Sequence, residues 1–258
     1  MKRVSGTPRR GHSAPAFLLS LLIPACLAHG EGEPLSWVNA LRRAAGAPSV
    51  AEDALLSETA HRWAARLAEA GVLSHRGEDG SSALDRYRAL GGTEVHVGEI
   101  LGAGAGLSEI EGAWVTSDEH RKLATSAAWT HVGWGSSTAQ ANAPGTAQVW
   151  VMVFCEKIVE DLRIDKQADG LRIAGRFVTM AAARAFLYSG LDPVEPAEWD
   201  GITRRFRFDI PSSMLAGYLR LGYLLSGGSF RLTNTVTLPR ETEPPGARDR
   251  SEAPPASP

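Results

Sequence analysis

Cysteine is almost absent from this chain: 258 residues hold two, Cys26 and Cys155. So few cannot build a disulfide framework, so the fold must rest on a hydrophobic core. An excess of one charge is missing as well, with 27 Lys and Arg against 29 Asp and Glu and a formal net charge of −2. That balance speaks against a nucleic-acid partner and gives no sign of a highly anionic one. A membrane-spanning run is also lacking. The apolar stretch Ala14 to Ala28 is interrupted by Pro24 and falls short of the roughly 20 residues that a span requires.

What stands at the N-terminus has a pattern of its own. Lys2, Arg3, Arg9 and Arg10 precede the apolar stretch, and small residues follow it. Basic, apolar, then small is the order of a secretory signal, so residues 1–28 are expected to direct export to an extracellular, periplasmic or envelope-associated place. Cys26-Leu27-Ala28 suits cleavage before His29, whereas Ile23-Pro24-Ala25-Cys26 suits a lipoprotein signal. In the second case Cys26 would carry lipid and tether the chain to a membrane surface without spanning it. Either route leaves Cys155 alone. It ends the apolar run Val149 to Phe154 and is expected to be a buried, inert thiol.

Residues 35–70 read as helical. Leu56, Ala60, Trp63, Ala64, Leu67 and Ala70 recur on one face, Ser49 and Glu52 have the spacing of a capping box, and Gly71 is a stop. A shorter helix is predicted from Ser82 to Leu90. A third is predicted from Ser108, with Ile110, Ala113 and Trp114 facing inward and His120 just past its end. Glu94 to Val97 alternates as a short strand ending near Glu99. Val132 to Gly135 and Ala147 to Phe154 read as two more strands, separated by a Ser/Ala/Asn/Pro/Gly loop. Trp150 and Met152 make the second of these apolar on both faces, as in a central strand covered on both sides. The fold class expected for residues 34–157 is α/β, an α/β/α sandwich. Residues 158–238 read instead as six or seven short strands, with turns at Asp169-Gly170, Asp200-Gly201 and Gly227-Gly228, giving an all-β sandwich-like domain. Its arginines alternate with apolar residues and are balanced by acids, the pattern of a solvated sheet face. Residues 239–258, rich in Pro, Glu, Ser and Arg, have the composition of a disordered tail.

Three islands concentrate chemistry: Leu73-Ser74-His75, Gly98-Glu99-Ile100, and Trp114-Val115-Thr116-Ser117-Asp118-Glu119-His120-Arg121. Two imidazoles can bind zinc or another divalent metal, and a carboxylate can complete or orient the set. The same groups can serve as a general base and its orienter, although no nucleophile context surrounds Ser117. His61 is expected on a solvated helix face. His96 and His131 have weaker claims to the site, and Trp63, Trp114, Trp129 and Trp134 are expected in the core or the cleft wall.

These islands, together with Val38-Asn39-Ala40-Leu41-Arg42, Trp63-Ala64-Ala65-Arg66-Leu67-Ala68 and His131-Val132-Gly133-Trp134-Gly135, resemble the CAP superfamily, or SCP domain, in its bacterial branch. The resemblance covers about residues 34–157 and implies an α/β/α sandwich with a central cavity. It assigns His75 and His120 as the cavity histidines and Glu99 as the first cavity glutamate. Ser117 stands where a second glutamate is usual, and Glu119 is a substitute within reach of the cleft. The ligand cleft is therefore expected to comprise His75, Glu99, Ser117, Glu119 and His120, with His75 and His120 as metal ligands. The expected function is an exported, non-catalytic protein that binds a small-molecule, lipid or cell-wall ligand or a divalent metal. Alternatives are a hydrolase (peptidase or cell-wall-modifying) using His75, Glu99 and His120, and a lipid or sterol binder.

Overall fold

The computed structural model describes residues 34–138 and 147–238. The signal-like segment 1–28, the tail 239–258 and most of the loop before the Ala147–Phe154 run lie outside the described residues. The first part of the chain contains α1 (Pro34–Ala44), β1 (Ala51–Glu52), α2 (Ala54–Ala70), α3 (Ala83–Ala89), β2 (Val97–Gly104), α4 (Leu107–Thr116), α5 (Asp118–Ala124), β3 (His131–Thr138) and β4 (Gln148–Cys155). Its sheet has the order β1-β3-β4-β2; β1 runs parallel to β3, and the other pairs are antiparallel.

β4 is central, as its two-sided apolar pattern required. Val149, Val151, Val153 and Cys155 face α2 and pack with Leu56, Ala60, Trp63, Ala64 and Leu67. Met152 and Phe154 face the opposite layer, with Val38, Ile110 and Trp114. Each such fully buried side chain contributes roughly 1.5–3 kcal/mol. Helices thus cover both faces, and the α/β/α sandwich holds.

Two glycines set the approach of α2 to the sheet. A Cβ on Gly133 would collide with the backbone of Ser57, and one on Gly135 with the backbone of His61. Gly133-Trp134-Gly135 therefore lets the helix lie directly on β3. Gly71 stops α2 with a φ of 67°, in the left-handed region where glycine has no penalty.

Several local expectations are corrected. The start of α2 is capped by Asp53, whose carboxylate accepts from Leu56 N at 2.9 Å. Ser49 is no cap, because Ala51 and Glu52 are drawn into pairing with His131 and Val132. α4 starts one residue early behind Gly106, and Glu109 accepts from Ala105 N at 2.7 Å. Ala113 is exposed, so only Ile110 and Trp114 form its inner face. β2 starts at Val97, which puts Glu99 near its beginning rather than its end.

The second part carries eight strands, more than the six or seven expected: β5 (Val159–Gln167), β6 (Gly170–Phe177), β7 (Arg184–Ser189), β8 (Asp192–Val194), β9 (Glu198–Asp200), β10 (Arg205–Pro211), β11 (Tyr218–Leu224) and β12 (Phe230–Thr237). The additional strands include the three-residue β8 and β9, too short to show alternation. Two antiparallel four-stranded sheets, β5-β6-β10-β9 and β12-β11-β7-β8, enclose a core of Ile173, Phe177, Leu187, Phe206, Phe208, Leu219, Leu221 and Tyr223. The outward arginines are paired, as in Arg172–Asp209 at 2.7 Å and Arg207–Glu198 at 2.5 Å.

The two parts are sewn together. Thr93 to Val95 continue the second sheet at its β12 edge, through Val95 N to Thr233 O at 3.1 Å and Thr235 N to Thr93 O at 2.7 Å. Asn234 donates to Thr93 Oγ1 at 3.0 Å. Glu94, placed between them, is buried and accepts from the Tyr87 hydroxyl at 2.5 Å.

Candidate functional site

The site forms on the free side of β2. An edge strand is reachable from both helical layers, so groups from α3 and from α5 can approach the same carboxylate. Glu99 sits at this edge and is buried, with its side chain 4% exposed. A buried carboxylate requires partners. Glu99 Oε1 lies 2.9 Å from His75 Nδ1, and Oε2 accepts from Arg86 at 2.6 Å.

Local structure fixes each partner. Gly71 ends α2 and releases the segment carrying His75. Ser74 O then accepts from Trp63 Nε1 at 3.1 Å. The Ser74 hydroxyl closes a tight turn with Arg76, donating to its carbonyl at 2.7 Å and accepting from its N–H at 3.0 Å. α3 begins in a full capping box, Ser82 with Asp85, which aims Arg86 inward. Arg86 stacks on the Trp63 ring at 3.8 Å and also donates to Ser81 O at 3.0 Å. One guanidinium thus clips the His75 segment, helix α2 and Glu99 together.

A carboxylate oxygen only accepts, so neutral His75 holds its proton on Nδ1 and leaves Nε2 as the free lone pair. The side chain of His75 is 57% exposed, so the imidazole faces solvent from a fixed base. His120 approaches from the other layer. It lies just past α4, as expected, but in the first turn of α5, a separate short helix. Its pKa is lowered from the ordinary imidazole value, first by burial and then by repulsion from His75, while Glu119 works weakly the other way. The two histidines therefore share one electrostatic environment.

Ser117 and Glu119 do not join the cleft by hydrogen bonds among the described residues. Ser117 is spent on the backbone: it ends α4, donating its N–H to Ala113 O at 3.1 Å, and opens α5 by accepting from Arg121 N at 2.9 Å. Glu119 is exposed in the first turn of α5, where an acid suits the helix dipole. Its influence on His120 is through charge alone. His61 is exposed, as expected, and Trp63 and Trp114 are buried in the core. Arg86 is the partner of Glu99 that sequence reasoning missed. A signal existed: a buried glutamate demands a cation, and Arg86 lies on the short helix next to the His75 segment.

The donor set does not suit a resident metal. Zinc sites take three or four protein ligands, and among the described residues no group of three or more His, Cys, Asp or Glu side chains converges in that way. Both oxygens of Glu99 are already engaged. Cys155 is no alternative nucleophile: it is fully buried, and desolvation raises its pKa far above the thiol range.

A groove of about 1420 Å³ opens beside this clip. Trp63, Ser74, Arg76 and Arg86 lie along it, with Arg66 and Val72 farther along α2 and the turn that follows it. Arg86 links the two, lining the groove and bonding Glu99, whereas His75, Glu99 and His120 are not among the groove's lining residues.

Comparison with known proteins follows this geometry. The family model described as the cysteine-rich secretory protein family, CAP, matches residues 35–154. No curated protein matches the chain. Among solved structures, an outer surface protein from Borrelia burgdorferi is 20% identical with a TM-score of 0.43, over 48% of this chain and 89% of that one. An extracellular SCP-domain protein from Bacillus anthracis is 20% identical with a TM-score of 0.40, over 46% of this chain and 38% of that one. A cysteine-rich secretory protein from Staphylococcus aureus is 16% identical with a TM-score of 0.33, over 48% of this chain and 36% of that one. Residues 35–154, which hold His75, Glu99, Arg86 and His120, match the CAP family model, and this part of the chain is a CAP domain.

Proposed function

We propose that this chain is an exported bacterial envelope protein whose CAP domain binds a small polar ligand, of cell-wall or similar origin, at the His75–Glu99–Arg86 cleft without transforming it. The observation that carries the reading is the full engagement of Glu99, one oxygen by His75 and the other by Arg86. A carboxylate held in this way orients an imidazole; it is not free to activate water. The exposed His75 Nε2 and the partly buried His120 then offer two adjacent acceptors to hydroxyl or ammonium donors on a ligand. Export rests on the basic and apolar pattern of residues 1–28. Among the described residues, no helix is long and apolar enough to cross a membrane.

The test is ligand-observed NMR with soluble fragments of digested bacterial cell wall. Saturable binding to the full chain, lost in His75→Gln and with unchanged fragments after long incubation, supports the reading. Binding that persists in both His75→Gln and His120→Gln removes it.

A second reading has one observation in its favour: an imidazole oriented by a buried carboxylate is also the arrangement of a general base. It predicts fragment cleavage that falls at least tenfold in Glu99→Gln. Turnover with that dependence would replace the binding reading by a hydrolase.

A further inference from the structure

The outer faces of the two β sheets of the second part differ in kind. The face of β5-β6-β10-β9 carries paired charges, the ordinary dress of a solvated sheet. The face of β12-β11-β7-β8 carries aromatic rings. Phe186 and Tyr188 on β7 point outward, Tyr218 on β11 is 40% exposed, and Phe230 on β12 is 62% exposed. Phe186 lies over Gly222: a Cβ there would come within 2.6 Å of the ring tip. Tyr188 stands at 70° to Phe186 with centroids 5.6 Å apart, and Phe230 at 77° with centroids 5.2 Å apart. One ring is thus the floor and two are walls of a shallow trough.

Beside the trough lies Arg220, between Tyr188 at 5.8 Å and Tyr218 at 5.6 Å. It donates to Gly190 O at 2.9 Å, and its Nε is buried without a partner. No carboxylate among the described residues pairs with it, whereas its neighbour Arg184 is held by Glu195. A trough walled by aromatic rings suits the flat, rigid ring of proline, and Pro-rich segments bind aromatic-lined grooves at low entropic cost. An uncompensated arginine suits an acid on the same ligand.

We propose that this face binds an extended, acidic, proline-rich peptide, with its proline in the Phe186–Tyr188–Phe230 trough and its carboxylate on Arg220. The spacing agrees. Arg220 and Gly222 are two strand residues apart, about 7 Å. An acid two residues before a proline in a polyproline II strand spans about 6 Å. The sequence of this chain itself contains such a peptide, Glu241-Thr242-Glu243-Pro244-Pro245, with Glu243 two residues before Pro245. The inference is independent of the His75 cleft.

The experiment is calorimetric titration of the full chain with a synthetic peptide copying residues 241–246. A parallel titration uses the full chain carrying Pro244→Gly and Pro245→Gly, which removes an internal competitor. Saturable binding in either protein, weakened about tenfold by Phe186→Ser and by Arg220→Gln and unchanged by Arg207→Gln on the opposite sheet, is the expected result. Binding confined to the glycine variant means that the chain's own segment fills the face, which supports the proposal. Absence of binding in both proteins, or binding that Phe186→Ser and Arg220→Gln leave intact, overturns it.

Discussion

The molecule uses the same three side-chain types twice. At the β2 edge, Glu99 joins His75 Nδ1 and Arg86. Where the two parts meet, Glu156 joins His96 Nδ1 at 2.8 Å and Arg231 at 2.7 and 2.5 Å. Both carboxylates are buried and both histidines are about half exposed. The difference lies in what surrounds them. Arg86 is only 13% exposed, stacked on Trp63 beside an open groove, and His120 is near enough to feel His75. Arg231 is 39% exposed and ties β12 to the residue that follows β4. A His–Glu–Arg cluster is therefore not a site by composition; on the reading proposed above, the neighbouring groove and a second histidine set the first apart as a ligand cleft, and the second is a joint.

The largest expected effect comes from removing the carboxylate in each cluster. Glu99→Ala strands Arg86 on Trp63 with little access to water, and should cost about 3–5 kcal/mol in denaturant unfolding, the usual cost of breaking a buried pair. Glu156→Ala leaves two partners that reach solvent, and should cost only about 1–2 kcal/mol. Equal losses in urea titrations would erase the distinction between cleft and joint.

A pH series sharpens it. Burial and His75 hold His120 below the ordinary imidazole value, and burial also lowers His131. The unfolded chain therefore takes up protons that the folded chain resists. Stability is full above about pH 6.5 and declines as pH falls toward and through the folded values. His75→Gln removes one cause of the His120 shift, so the NMR midpoint of His120 should rise while that of His131 stays. His96→Gln should move neither. A rise in the His131 midpoint with His75→Gln would show that the two regions are not electrically separate.

The smallest effects are the most discriminating. His75→Gln and His96→Gln are both substitutions of half-exposed residues, and each should change unfolding free energy by no more than about 0.5 kcal/mol. Only the first should abolish binding of wall fragments.

Sequence carried the helix faces and the central strand well, because Leu56, Ala60, Trp63 and Val149 to Phe154 obey strict periods and are buried accordingly. It also singled out His75 and Glu99 by their distinctive short contexts, and the fold brings these two within hydrogen-bond distance. It failed where tertiary pairing overrides local preference. Ser49 and Glu52 have capping spacing, yet β3 claims the two residues before Asp53 as a strand. Nothing local in Thr93 to Val95 announces that this segment pairs with β12, far along the chain. Arg86 escaped for the related reason that its partner lies on another element. β8 and β9 are too short for any period to register.

The central claim is that His75, oriented by Glu99, belongs to a binding cleft. It is tested most directly by imidazole-detected NMR of the full chain during titration with soluble cell-wall fragments. The account predicts saturable shifts of the His75 and His120 resonances, a still His96 resonance, and fragments recovered intact. Shifts confined to His96, or none in any histidine while fragments bind elsewhere, would contradict it.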